Sequence, residues 1–230
     1  ETEDYTYDYV YANGNTYPSY LPEIENAGDS RASSSVSKYR MTSFLGRLNY
    51  DYASKYYFSA SYRRDGSSRL SRDCRWGDFW SVSGSWRISS ESFMESVKDV
   101  LTDVKLRASY GVNGTQPSDY YGYLGVFGFG YNYKGNGGSA EMRIENPNMK
   151  WEKNYATNIG LDMTLWNRLS MTFEWYNRDT KDLLMDKAIS GVPGIIDEDG
   201  LANTLMNVGA MRNRGFEFEL KSTNIQNNDW

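Results

Sequence analysis

The strongest constraint on this chain is a strict two-residue alternation through residues 44–63, broken only by Ala53-Ser54-Lys55. Phe44, Gly46, Leu48, Tyr50 and Tyr52 share one parity, and Leu45, Arg47, Asn49 and Asp51 the other. Beyond the gap, Tyr56, Phe58, Ala60 and Tyr62 alternate with Tyr57, Ser59, Ser61 and Arg63. Successive side chains of a strand point to opposite faces, so this is a β-hairpin with one apolar and one polar face. The pattern recurs along the chain in strands long enough to cross a bilayer. A sheet that is apolar outside and polar inside reads as the wall of a membrane barrel.

Composition is consistent with such a wall. Mean hydropathy is −0.71, and no apolar run approaches the roughly 18 residues a membrane helix needs. A barrel escapes that test because every second residue faces water. The 20 Tyr, 7 Trp and 9 Phe suit membrane interfaces, and equally a glycan-binding surface. A net charge of −5 excludes a basic nucleic-acid footprint. The absence of His removes His-based triads, metal sites and pH switches. Cys74 is the one cysteine, so no internal disulfide or Cys-rich zinc site can form.

Seven strands are expected, at 41–52, 56–65, 78–88, 104–112, 154–165, 169–179 and 214–222. Residues 1–40 read as a long extracellular loop with one short ribbon, in which Tyr5, Tyr7, Tyr9 and Tyr11 alternate and Asn13-Gly14 turns the chain. Pro18 and Pro22 break regular structure, and Ser30 to Ser37 is a small, polar stretch of the same loop. The links at 53–55 and 166–168 are tight, whereas 66–77, 113–153 and 180–213 are long. Short turns on one side and long loops on the other is the membrane-barrel arrangement, with the short side periplasmic. Parity places 89–103 on the periplasmic side too. There Glu91, Phe93, Met94, Val97, Val100 and Leu101 suit a short helix under the rim.

The fold class is therefore all-β: a segment of an antiparallel transmembrane β-barrel with long extracellular loops. The barrel strands and loops occupy 41–222, and 223–230 reads as a truncated periplasmic turn. Seven strands cannot close an up-and-down barrel, which needs an even number with no free edge. Leu48, Tyr50, Phe58, Tyr62, Val82, Trp86, Ile159, Leu161 and Phe173 are expected to face lipid. Arg47, Asn49, Ser59, Arg63, Asp162 and Glu174 are expected to face the lumen.

Several motifs carry chemistry only on a sharp reading. Arg63, Arg64 and Arg69 with Asp65 could hold an anionic or hydroxyl-rich substrate, but a loop stapled by Arg–carboxylate bonds is the simpler account. Asp162, Glu174, Glu217 and Glu219 could supply a glycosidase pair; their alternation with apolar residues instead makes a solvated lumen wall. Gly125, Gly128 and Gly130 lack the strand-then-helix context of a phosphate loop. Asp197-Glu198-Asp199-Gly200 has the wrong spacing for calcium. Asn113-Gly114-Thr115, formally a glycosylation sequon, reads as a turn. No catalytic residue, metal site or cofactor is expected. The candidate contact site is the ring-rich stretch of 113–153: Tyr120, Tyr121, Tyr123, Phe127, Tyr131 and Tyr133, spaced by glycines. These rings would stack on substrate, dock a partner or pack on one another.

Six ordered stretches add a resemblance. They are Phe44 to Tyr50 (FLGRLNY), Tyr62 to Arg69 (YRRDGSSR) followed by Arg75-Trp76-Gly77, Ser81 to Ile88 (SVSGSWRI), Lys105 to Gly111 (KLRASYG), Asn146 to Glu152 (NPNMKWE) leading into Thr157 to Asp162, and Asn207-Val208-Gly209 followed by Met211 to Gly215 (MRNRG). Together they resemble the strands of SusC/RagA-type TonB-linked outer-membrane transporters of Bacteroidetes. The departures are Phe79-Trp80, where that family often has Phe-Pro, and Cys74 in a usually polar loop. The resemblance implies a barrel of about 22 strands closed by an N-terminal plug. It implies a TonB-contacting segment, with plug and TonB box lying outside this chain, and a SusD-like surface lipoprotein lid. It implies import of an oligosaccharide or oligopeptide through the outer membrane of a Gram-negative bacterium, with outer-membrane lipid around the wall and no nucleic acid partner. Alternatives are a passive outer-membrane barrel or assembly component, and a soluble glycan-binding β-sandwich. Sandwich strands average about five or six residues, shorter than those expected here.

Overall fold

The computed structural model describes residues 2–13, 29–188 and 203–224. Among them ten strands are present, all in antiparallel pairings where a register is defined. The chain divides into two units, residues 1–41 and 42–230.

The first unit is a two-stranded ribbon. β1 (Thr2–Asn13) pairs with the opening residues of β2 (Asp29–Tyr52), from Thr2 opposite Arg40 to Asn13 opposite Asp29. The small polar stretch Ser30 to Ser37 is thus strand rather than loop. Its Ser-rich sequence hides this, because it carries no apolar–polar alternation. Gly14, Pro18 and Pro22 lie outside the described residues.

The second unit is built on one sheet in the order β2-β3-β4-β5-β8-β9-β10. Its strands are β3 (Tyr56–Ser67), β4 (Trp76–Arg87), β5 (Leu101–Thr115), β8 (Glu152–Leu165), β9 (Leu169–Ala188) and β10 (Asn203–Ser222). A separate hairpin, β6 (Val126–Tyr133) and β7 (Asn136–Arg143), stands within the connection between β5 and β8. The seven expected strands are all present, but the long connections are shorter than the sequence suggested. β9 and β10 pair far into 180–213, and Asn113-Gly114 continues β5 instead of turning. In the upper parts of β9 and β10 the apolar residues are consecutive, as in Leu183-Leu184-Met185 and Leu205-Met206, so the period-two signal fades although the ladder continues. The remainder of 180–213, including Asp197 to Gly200, and the end of 223–230 lie outside the described residues.

The register separates the two parities into rows. Tyr56, Trp86, Leu106, Leu161, Phe173 and Phe218 stand side by side across six strands. The adjacent row on the other face is Tyr57, Ser85, Arg107, Gly160, Glu174 and Glu217. The apolar face stays open: Leu48 is 62% exposed, Phe216 71% and Phe218 64%. Such a broad apolar surface is stable only against lipid or a partner.

At one end of the sheet the connections are tight. Lys55 N–H donates to the Tyr52 carbonyl at 3.0 Å, and Arg168 N–H to that of Leu165 at 2.9 Å. Ala53 and Ser54, and likewise Trp166 and Asn167, take φ values of 50–55°. This is the type I′ geometry that matches strand twist, here without the glycine that usually relieves it. At the same end, 88–100 forms two short 3-10 turns, Ile88–Ser90 and Ser92–Val97, with Leu101 already in β5. Glu91 fixes this segment by accepting from Tyr56 Oη at 2.7 Å, Lys55 Nζ at 3.0 Å and Trp86 Nε1 at 3.1 Å. The Arg87 guanidinium donates to both oxygens of Asp103, at 3.0 and 3.2 Å. No described helix is long and apolar enough to cross a membrane.

Candidate functional site

The polar face carries hydroxyls and one ion cluster. Ser59, Ser83, Ser109 and Asn158 form a cross-strand row bordering a groove of 420 Å³ that Lys105 and Arg107 also line. Arg107 lies over Gly160, where an added Cβ would stand 2.6 Å from its Cζ. That glycine lets the guanidinium reach Asp162 at 3.1 Å and Glu174 at 2.6 Å. Two carboxylates clamped to one arginine are charge-paired wall, not a free acid and a free base.

At the opposite end from the tight turns, the loops are clasped together. Arg63 Nε donates to Asp65 at 2.6 Å, and Asp65 is buried. Ser67 Oγ donates to Gln116 Oε1 at 2.9 Å, and Arg69 Nη1 to the carbonyl of Pro117 at 3.0 Å. Ser71 Oγ reaches the carbonyl of Pro147 at 2.6 Å, and Trp151 Nε1 that of Arg75 at 2.9 Å. Leu70 and Met149 are fully buried beneath these bonds, and Phe79 meets Trp151 edge-on at 5.3 Å. Arg69 is therefore a staple between connections, while Arg63 braces its own strand through Asp65. Arg64 turns to the other face, 3.7 Å from Asp78 and over the Trp76 ring.

Asn207 extends the clasp to β10. Its Oδ1 accepts from Lys150 N at 3.0 Å, while Nδ2 donates to the carbonyls of Lys150 at 2.9 Å and Asp182 at 2.7 Å. Asn146 Nδ2 adds a bond to the Leu205 carbonyl at 2.8 Å. Leu70, Met149, Trp151 and Asn207 were not singled out from sequence as site residues. The signal was nevertheless present, since Met149, Trp151 and Asn207 fall inside two of the resembling stretches.

The ring-rich residues are not brought into one cluster. Tyr120 and Tyr121 are neighbours at 6.4 Å, with the Arg69 guanidinium 4.4 Å over Tyr120. Tyr123 is half-buried at the foot of the hairpin, where its carbonyl accepts from Asn146 N. Arg143 shapes this foot by binding Asp119 and the carbonyls of Tyr121 and Leu124. Phe127 stands out on β6, 57% exposed, beside the 85% exposed Phe129. A register shift between Phe129 and Tyr131, with Gly130 at φ 93°, turns Tyr131 to the opposite side. There Tyr131 Oη donates to Met142 Sδ at 3.0 Å. The side chain of Tyr133 is outside what is described. The geometry thus offers a tilted tyrosine pair at the clasp and exposed phenyl rings on a hairpin.

Comparison with known proteins gives consistent results. A family model described as "TonB dependent receptor-like, beta-barrel" matches residues 1–230. TonB-dependent receptor P3 of Formosa agariphila is 34% identical over 202 residues, 86% of this chain and 20% of that protein. TonB-dependent receptor SusC of Bacteroides thetaiotaomicron is 32% identical over 228 residues, 94% of this chain and 22% of SusC. Among solved structures, the RagAB peptide transporter aligns with a TM-score of 0.84 at 29% identity, covering 100% of this chain and 25% of that one. The siderophore receptor PirA of Pseudomonas aeruginosa shares the fold alone, at 12% identity and a TM-score of 0.56. The chain spans about a fifth of the length of the curated relatives it matches.

Proposed function

Since the chain belongs to the TonB-dependent receptor β-barrel family and lies in the outer membrane of a Gram-negative bacterium, we propose that it forms part of the wall and outer loops of an importer of oligosaccharides or oligopeptides. The observation that carries this reading is the match of the whole chain to the RagAB peptide transporter at a TM-score of 0.84. The family consists of receptors and transporters, not enzymes, and Arg107 holding two wall carboxylates agrees with that.

In this reading the strands supply a lipid-facing exterior and a hydroxyl-lined interior. The clasp around Trp151 and Asn207 holds the external loops at fixed spacing, and the hairpin β6–β7 is presented above it. Loops held by a rigid scaffold are where recognition resides. Phe127 and Phe129, with Tyr120 and Tyr121, would contact the substrate or a SusD-like lipoprotein lid. Energy would come from TonB acting through regions outside this chain.

The test is uptake by cells carrying the complete transporter. Fluorescent oligopeptides and oligosaccharides are supplied separately, with and without functional TonB. TonB-dependent accumulation of one class supports the reading and names the class. TonB-independent passage would support the passive barrel instead.

A further inference from the structure

On β8–β10 the lipid-facing wall ends in cations. From the tight-turn end upward, its rows are Met163/Met171/Leu220, Leu161/Phe173/Phe218 and Ile159/Trp175/Phe216. The next rows are Thr157/Asn177/Arg214, Tyr155/Asp179/Arg212 and Lys153/Lys181/Ala210. At a rise of about 3.3 Å per residue and a tilt of about 40°, the apolar rows from Leu165 to the Thr157 level stand about 20 Å tall. That approaches the apolar band of about 25 Å typical of such barrels. The cations therefore begin where hydrocarbon gives way to headgroups.

Their charge is not balanced by the protein. The one carboxylate of these rows, Asp179, faces four cations: it is ion-paired to Arg212 and also attracts Lys181. Lys153 and Lys181 are direct cross-strand partners, and like charges in that position repel. Neither lysine, nor Arg214, forms an ion pair with a described residue, and Lys181 Nζ instead lies 5.3 Å from the Tyr155 ring centroid. On β3–β4, by contrast, Arg64 on the same face is matched by Asp78. A local excess of cations at headgroup height, beside an interfacial tyrosine, calls for an anion supplied by the membrane.

We propose that Lys153, Lys181 and Arg214 bind the phosphate groups of an outer-leaflet lipid headgroup, with Tyr155 as the ring at the boundary. Arg and Lys are suited to this, since both donate charge-assisted bonds to phosphate oxygens. The proposal rests on the outer-membrane placement of the wall and not on the import reading, so transport can fail while lipid binding holds.

The test uses the complete transporter in detergent, titrated with bisphosphorylated lipid A and read by native mass spectrometry. The triple variant Lys153→Gln/Lys181→Gln/Arg214→Gln should bind at least roughly tenfold more weakly. Lys153→Arg/Lys181→Arg should bind like the unaltered protein. Dephosphorylated lipid A, with the same acyl chains, should bind both proteins equally and weakly. Heat-modifiable gel mobility verifies that the variants assemble, and the single Lys153→Gln change provides a milder version of the loss. Unchanged lipid A binding by the triple variant would overturn the proposal. So would displacement of the lipid from the unaltered protein by millimolar inorganic phosphate, which would mark a free-phosphate site.

Discussion

Replacing Trp151 by Ala should open the clasp without dismantling the barrel. Trp151 is 4% exposed, its indole N–H is bonded to the Arg75 carbonyl, and its ring meets Phe79. Removing about 200 Å² of buried ring at about 25 cal/mol/Å² gives an upper figure of about 5 kcal/mol. The open state of a clasp still buries part of that surface, which lowers the expected loss to about 3 kcal/mol. This corresponds to a roughly hundredfold larger opening constant. The reporters are amides held only by this arrangement: Ser67 N–H on the Arg75 carbonyl, Cys74 N–H on that of Ser71, and Met149 N–H on that of Asn146. Hydrogen exchange on the complete transporter in detergent should show all of them accelerating together, while amides of β3 and β8 keep their protection. Trp151→Phe, which keeps a ring and loses one hydrogen bond, should cost only about 1 kcal/mol. Unchanged exchange in Trp151→Ala would refute the idea that this ring holds the loops. Equal acceleration in the strands would show that clasp and wall open as one unit.

Other consequences follow from the same geometry. Asn207→Ala removes three hydrogen bonds that link β10 to Lys150 and Asp182; about 1–3 kcal/mol of local stability should go, read as faster proteolysis near residue 150. Hydrogen bonds from Tyr56, then Lys55 and Trp86, hold the Glu91 carboxyl below the ordinary carboxylate range. Its contribution is then present above the ordinary glutamate pKa and lost as pH falls through the lower folded value. Exchange of the 88–100 amides should accelerate on acidification, and an identical pH profile in Glu91→Gln would disprove the assignment. Ser54→Gly relieves a left-handed residue in the turn after β2 and should raise barrel melting stability by up to about 1 kcal/mol, seen as a higher heat-modifiability midpoint. Tyr121→Ala/Tyr123→Ala/Tyr131→Ala in the complete transporter should weaken uptake or lid docking and leave assembly intact. Unchanged uptake together with unchanged partner pull-down would mean that these rings only pack on the protein.

Much of the wall was legible in the sequence because lipid imposes a repeating demand. Each residue pair such as Leu161-Asp162 or Phe173-Glu174 must place one member in hydrocarbon and the other in water, and that demand leaves a period-two trace. Where the demand stops, the trace stops. Ser30 to Ser37 and the upper parts of β9 and β10 remain strands, but a run of small polar residues in the first and consecutive apolar residues such as Leu183-Leu184-Met185 in the second break the alternation. The period-two trace is therefore missing although the ladder continues. Asn113-Gly114 shows the same failure in reverse, since a favourable turn pair was overridden by ladder bonds to Lys153 and Asn154.

The sequence alone determined the alternation, the tight turns at 53–55 and 166–168, and the identity of the charged wall residues. These are local properties, set by the side-chain period of a strand and by the residues a turn tolerates. Tertiary structure alone decided which distant residues meet. Arg107 gathers carboxylates from two other strands, Trp151 closes on the Arg75 carbonyl, and Lys153 faces Lys181 across β8 and β9. None of these meetings follows from periodicity, because register between strands is set by pairing across the sheet and not along the chain.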